Sequence, residues 1–157
     1  LTVIQSFAFE NCKSLENVTI PKSIKTLEVG TFSKCDRLKK IILPNGLTKI
    51  DNYVFSYCKL LEEINIPDTV TYIGNSCFSN CKNIKEMTIP ENVKHIGESA
   101  FGYSGVDKIY FAETNGWLLC QDAVTPGTEV DPAILADPQK AAEYLKKNCD
   151  EKYLERK

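Results

Sequence analysis

Hydrophobic positions in the first two thirds of the chain recur with a period of 23 residues. Phenylalanine holds one position of this period in five units, and cysteine and proline hold others in four. These columns are Phe9, Phe32, Phe55, Phe78, Phe101; Cys12, Cys35, Cys58, Cys81; and Pro21, Pro44, Pro67, Pro90. Aliphatic columns run between them, such as Leu15, Leu38, Leu61, Ile84. A single unit is too small to bury its apolar side, so the repeat predicts a solenoid of stacked coils.

Within each unit the pattern predicts two extended segments and a turn. The run Leu-x-x-Ile-x-Ile-Pro places apolar residues two apart and then stops pairing at proline, as in a short strand. Residues 70–73 and their equivalents predict a second extended segment. A tight turn at Gly74 follows, and we expect one short helical turn over residues 75–80.

About five 23-residue coils account for residues 1–111, with strands stacked in parallel over roughly 24 Å. The last unit is one residue shorter and has Ser104 where cysteine is expected. The first unit is truncated, so we expect a boundary of processing at residue 1 and further repeats or a cap upstream.

The unit Leu-x-x-Ile-x-Ile-Pro-x-x-Val-x-x-Ile-Gly-x-x-x-Phe-x-x-Cys resembles the BspA-type leucine-rich repeat. The resemblance implies an α/β repeat fold, a right-handed leucine-rich-repeat solenoid with a parallel sheet. It also implies a surface-exposed or secreted protein of bacteria or protists that serves in adhesion or protein binding. It implies no catalytic residues and no cofactor, so we do not expect an enzyme.

After Phe111 the period ends, and residues 112–157 predict a capping segment. A solenoid exposes an apolar cross-section at its end and needs a lid. Trp117 and the two leucines after it predict a strand. Asp137 followed by Pro138 is typical of a helix start, and the spacing predicts a helix over about 138–149 with the last residues frayed.

The net charge and the hydropathy of the chain argue against two classes of partner, nucleic acids and membranes. The net charge is −2, which argues against a nucleic-acid partner held by a basic face. No apolar run approaches the roughly 20 residues that span a bilayer, so we expect no membrane insertion. We expect a monomer.

The cysteine column invites four interpretations: a metal site, disulfides, a reactive thiol or core packing. Sulfurs spread along successive coils cannot converge on one zinc ion, and in-register neighbours are poorly placed for a disulfide. The only histidine, His95, falls in a column that we expect to face solvent, away from the cysteines. Core packing is therefore the favoured interpretation, and a pairing of Cys120 with Cys149 in the tail stays open.

Candidate binding residues are those that alternate outward along the strands. They are Asn17, Thr19, Lys40, Ile42, Glu63, Asn65, Glu86, Thr88, Lys108 and Tyr110. These positions vary in charge and size from unit to unit, whereas the inward positions stay apolar. Ile42 and Tyr110 are the apolar candidates for an anchor residue at an interface. Together with the family resemblance, which implies an extracellular or cell-surface location, these positions favour a non-catalytic module that binds a host or neighbouring-cell protein or glycan. A spacer that holds another domain away from the cell is the alternative.

Overall fold

The strand predicted from Leu-x-x-Ile-x-Ile-Pro forms one side of each coil in the computed structural model, which describes all 157 residues. Four of the five segments are regular strands: β1 (Asn17–Thr19), β3 (Lys40–Ile42), β6 (Glu86–Ile89) and β8 (Lys108–Phe111). β1 pairs in parallel with β3, and β6 pairs in parallel with β8. The segment between them has a single bridge, from Glu63 to Lys40. We call this side of the solenoid, including residues 63–66, the open row.

The second predicted extended segment forms another side of the coil. Its strands are β2 (Thr26–Leu27), β4 (Lys49–Ile50), β5 (Tyr72–Ile73) and β7 (His95–Ile96). They pair in parallel without interruption, each residue opposite its equivalent one unit away. We call this side the sealed row, because the C-terminal segment closes its last edge.

The third side of each coil consists of turns, so the predicted helical turn over residues 75–80 is wrong. The backbone is left-handed at Ser76 and Asn80, with φ of 51° and 61°. A left-handed residue ends a right-handed helix, which leaves only isolated turns such as the bond from the Cys81 N–H to the Phe78 carbonyl.

The C-terminal segment closes the end of the solenoid with three strands and two helices. These are β9 (Trp117–Cys120), β10 (Thr128–Glu129), α1 (Pro132–Ala136), α2 (Pro138–Asn148) and β11 (Tyr153–Arg156). The Asp137 carboxylate accepts hydrogen bonds from the Gln139 and Lys140 N–H groups, which caps α2 at its predicted start. Helix α2 packs against β8. Neither helix has the length and apolar character needed to cross a bilayer.

The sequence predicts that the last residues of the chain are frayed, but in the structure they form the strand β11. This strand runs antiparallel between β7 and β9, with Leu154 opposite both Ile96 and Leu119. Leu154 is completely buried. The predicted strand at Trp117 is present as β9, but β11 separates it from the last coil.

One hydrophobic core runs from the first coil into the cap. Phenylalanine rings stack along its axis, with centroids 5.3 Å apart for Phe9 and Phe32 and 5.6 Å apart for Phe78 and Phe101. Trp117, Leu145 and Leu154 of the cap belong to the same core. The repeat therefore buries most positions of its apolar columns, although Phe9 in the first coil stays 40% exposed, and the cap packs against the last coil.

Candidate binding face

The open row presents the ten candidate residues to solvent. Nine are exposed and Lys108 is half-buried. The large apolar members are accessible, Ile42 at 51% and Tyr110 at 39%, although isoleucine is usually a core residue. Their neighbours Ile41 and Ile109 point inward and are buried. The alternation that the sequence predicts therefore holds along this side.

Seven of the ten candidates surround one groove of about 380 Å³ on the open row. These seven are Lys40, Ile42, Glu63, Asn65, Glu86, Thr88 and Tyr110. The remaining wall and floor come from apolar residues of the strands, among them Ile41, Ile64 and Met87. The groove thus combines an apolar floor with a polar and charged rim. Asn17 and Thr19 lie outside it, on β1.

The groove lies where the open row is interrupted. Ile64, Asn65 and Ile66 form no main-chain hydrogen bond, although their sequence fits the same strand pattern as the other coils. Ile64 is only half-buried, whereas its equivalents Ile41 and Met87 are buried. Backbone groups without a protein partner are satisfied by water or by a ligand. The middle of the open row therefore offers main-chain donors and acceptors beside exposed apolar side chains.

A second hollow, of about 620 Å³, joins the open row to the cap. Lys108 and Tyr110 of β8 form one wall, and α1 and the first turn of α2 form the other. Tyr110 lines both hollows, so the candidate surface continues from the strands onto the helices. The sequence analysis missed the helix residues Asp137, Gln139 and Lys140 here. The helix start was visible in the sequence, but not its position beside β8.

Charges on the open row are mixed and largely hydrated. The Lys108 ammonium lies 2.9 Å from the Glu86 carboxylate, and the hydrogen bond to that carboxylate raises the pKa of Lys108. Both side chains are exposed to water, so this pair adds little stability. Lys40 and Glu63 form no ion pair. Both charges therefore remain available to a partner.

The cysteine column packs in the core and also joins successive coils. The thiol of Cys58 donates to the Phe32 carbonyl oxygen at 3.2 Å, and that of Cys81 donates to the Phe55 carbonyl oxygen at 3.1 Å. Burial raises the pKa of Cys81 to about 12, which keeps it a thiol. Cys120 and Cys149 are free thiols as well.

His95 is half-buried, where the sequence predicted a side chain that faces solvent. Its ring stacks on Tyr72 with centroids 4.4 Å apart and is covered on the other side by Tyr153 of β11 at 5.1 Å. Burial lowers the pKa of His95, and the nearby Glu155 carboxylate opposes that shift. The prediction failed because β11, which covers this side, lies outside the repeat.

A family model described as "BspA type Leucine rich repeat region" matches residues 2–117 in six copies. No curated protein matches the chain. Among solved structures, the chain is similar to a T. pallidum leucine-rich repeat protein. The two are 32% identical with a TM-score of 0.65, over 67% of this chain and 50% of that one.

Two further solved structures extend the comparison. A Bacteroides ovatus leucine-rich repeat protein is 30% identical with a TM-score of 0.64, over 67% of this chain and 27% of that one. The pneumococcal vaccine antigen PcpA is 29% identical with a TM-score of 0.61, over 64% of this chain and 25% of that one. The chain therefore spans half or less of the length of these relatives.

Proposed function

This chain belongs to the BspA-type leucine-rich repeat family, and we propose that it is an extracellular protein-binding module whose open row holds the partner. Repeats of this family are in general non-enzymatic scaffolds. Solved relatives are described as a vaccine antigen and as a leucine-rich cell-surface protein from Faecalibacterium prausnitzii. These descriptions support a location at the cell surface. Adhesion to a host or neighbouring cell is the role that we propose for the module.

The observation that carries the proposal is the groove at the interruption of the open row. It brings the unpaired main-chain groups of Ile64 and Asn65 into one surface that also exposes Ile42 and Tyr110. Buried apolar anchors supply most of the affinity in protein interfaces, and hydrogen bonds around them fix the register. An extended peptide segment of the partner offers both kinds of contact.

Rim charges favour a protein over a neutral glycan at this site. Lys40 and Glu63 carry opposite charges, and neither forms an ion pair within the molecule. A partner protein with the complementary charges would gain both affinity and a faster encounter. A neutral glycan would leave both charges unmatched.

A binding screen with paired variants tests the proposal. The protein is screened against an array of extracellular-matrix proteins, and each saturable hit is measured again with an Ile42→Asp/Tyr110→Asp double variant. We expect at least 100-fold weaker binding, because two anchors become charged. Val124→Asp is the matched control, since Val124 is 92% exposed and lies outside the groove.

The same experiment separates the alternatives. Binding that is lost in the double variant and kept in Val124→Asp supports the open row. Binding that survives in the double variant contradicts the proposed site. If no protein on the array binds, the result contradicts the proposal, and the alternative of a spacer that presents another domain becomes the favoured hypothesis.

A further inference from the structure

The turn side of the solenoid imposes a left-handed backbone at two positions of each coil. The positions recur every 23 residues: Phe7, Gly30, Tyr53, Ser76, Ser99, and Asn11, Lys34, Tyr57, Asn80, Tyr103. This conformation aims N–H groups at the next coil. The N–H of Tyr53 donates to the Asn75 carbonyl, and that of Tyr57 donates to the Ser79 carbonyl, both at 2.8 Å. Stacking of the coils therefore requires a left-handed backbone at these positions, whichever residue type occupies them.

Three tyrosines occupy these positions although a left-handed backbone disfavours bulky side chains. Tyr53, Tyr57 and Tyr103 are 46%, 44% and 73% exposed. None of their hydroxyl groups has a protein hydrogen-bond partner. Glycine and asparagine, which suit the conformation, are used at equivalent positions such as Gly30 and Asn80. The left-handed backbone therefore does not favour aromatic residues at these positions, and a large part of each ring is accessible to solvent.

A groove of about 470 Å³ runs along these rings. Besides the tyrosines, its lining is dominated by hydroxyl and amide groups, including those of Ser56, Ser79 and Asn80. Its only charged residues, Lys34 and Glu10, neutralise each other at 3.0 Å. The surface is thus aromatic, rich in hydroxyl groups and free of unpaired charge.

We propose that this groove binds a neutral, extended β-1,4-linked glycan chain, with sugar rings stacked on Tyr57 and Tyr103. The two tyrosines are two coils apart, and the phenylalanine rings beside them are spaced 5.6 Å per coil, so the separation is about 10–11 Å. That distance is comparable to the disaccharide repeat of such a chain, in which alternate rings present the same face. Asn80 lies between them in the same column and can bond the hydroxyl groups of the intervening sugar. The groove is independent of the open row, since no residue lines both.

Calorimetric titration with cellohexaose tests the proposal, using the protein and a Tyr57→Asn/Tyr103→Asn double variant. Asparagine is the residue that the chain itself uses at Asn11 and Asn80. We expect affinity for cellohexaose to fall at least 10-fold in the double variant. We also expect the melting temperature to rise, by about 2–4 °C for each substitution, because the backbone strain is relieved. A loss of binding in a more stable protein excludes misfolding as the cause.

Three controls sharpen the result. Tyr57→Phe/Tyr103→Phe keeps the rings and should stay within a few-fold of the original affinity. Leu60→Asn removes an exposed apolar side chain outside both grooves and should change nothing. Maltohexaose, whose α-linked chain is curved, should bind at least 10-fold more weakly than cellohexaose.

Several outcomes would overturn the proposal. Absence of saturable cellohexaose binding at millimolar concentration would do so, as would unchanged affinity in the double asparagine variant. Equal affinity for maltohexaose would contradict the extended chain. A protein on the matrix array whose binding depends on Tyr57 and Tyr103 would assign the surface to a protein instead.

Discussion

The sealed row and the open row arise from the same repeat but differ in how completely their strands pair and how far their outward side chains are covered. The sealed row pairs continuously through four coils and continues into β11, β9 and β10. Its outward side chain Tyr72 stacks on His95, and Tyr153 covers the other face of His95. The open row is interrupted at residues 64–66, and its outward side chains are exposed and unlike one another. One row thus contributes chiefly to stability, and the other leaves a surface free to bind.

The strongest test of this contrast places the same charge on each row. Leu154→Asp puts a carboxylate into a fully buried site between β7 and β9, and we expect the free energy of unfolding to fall by more than about 4 kcal/mol. Thr88→Asp on the open row should change it by less than about 0.5 kcal/mol. Urea unfolding followed by the fluorescence of the single tryptophan, Trp117, measures both. Similar costs for the two variants would contradict the contrast.

A smaller difference is expected between two isoleucines of the same coil. Ile73→Ala on the sealed row removes a completely buried side chain and should cost about 3–4 kcal/mol of unfolding free energy. Ile64→Ala on the open row removes a half-buried side chain beside the interruption and should cost less than half of that. The same urea titration measures the loss of unfolding free energy in both variants. An equal loss at the two sites would show that the interruption does not loosen the packing.

The smallest effect concerns pH and the stack on the sealed row. Because burial lowers the pKa of His95 below its usual 6.5, the unfolded chain takes up a proton first as the pH falls. Stability should therefore be constant above about pH 7 and decline as the pH falls from about 7 through the unfolded value of 6.5. His95→Phe keeps a ring between Tyr72 and Tyr153 without a titrating group, and its stability should be flat over this range. Thermal melts at half-unit intervals compare the two, and parallel profiles would contradict the assignment to the only histidine.

The 23-residue repeat was sufficient to predict the stacked coils and the burial of the repeated apolar positions. Columns such as Phe32 and Phe55 fall on one period, so their burial follows from stacking alone. The Asp137–Pro138 pair likewise predicted the start of α2, because capping is local. By contrast, β11 pairs Glu155 with His95, which lies 60 residues earlier in the chain. A strand of only four residues has too short a pattern of apolar and polar positions to predict such a distant partner. The burial of His95 was missed for the same reason.

Two other features depend on backbone geometry that residue types do not reveal. The turns over residues 75–80 contain left-handed Ser76 and Asn80, and serine there gives no warning that a helix cannot form. The interruption at residues 64–66 has the same apolar pattern as the regular strands beside it. The candidate residues of the open row could therefore be named from the sequence, but not the groove that joins seven of them.

Amide hydrogen exchange tests the central contrast between the rows most directly. The N–H groups of Thr71, Gly74 and Gly97 on the sealed side donate to the carbonyls of Thr48, Ile50 and Ile73. We predict that these amides are strongly protected, whereas those of Ile64 and Asn65, which lack main-chain partners, exchange by small local openings. Equal protection of both sets would show that the open row is a continuous sheet and would contradict the account.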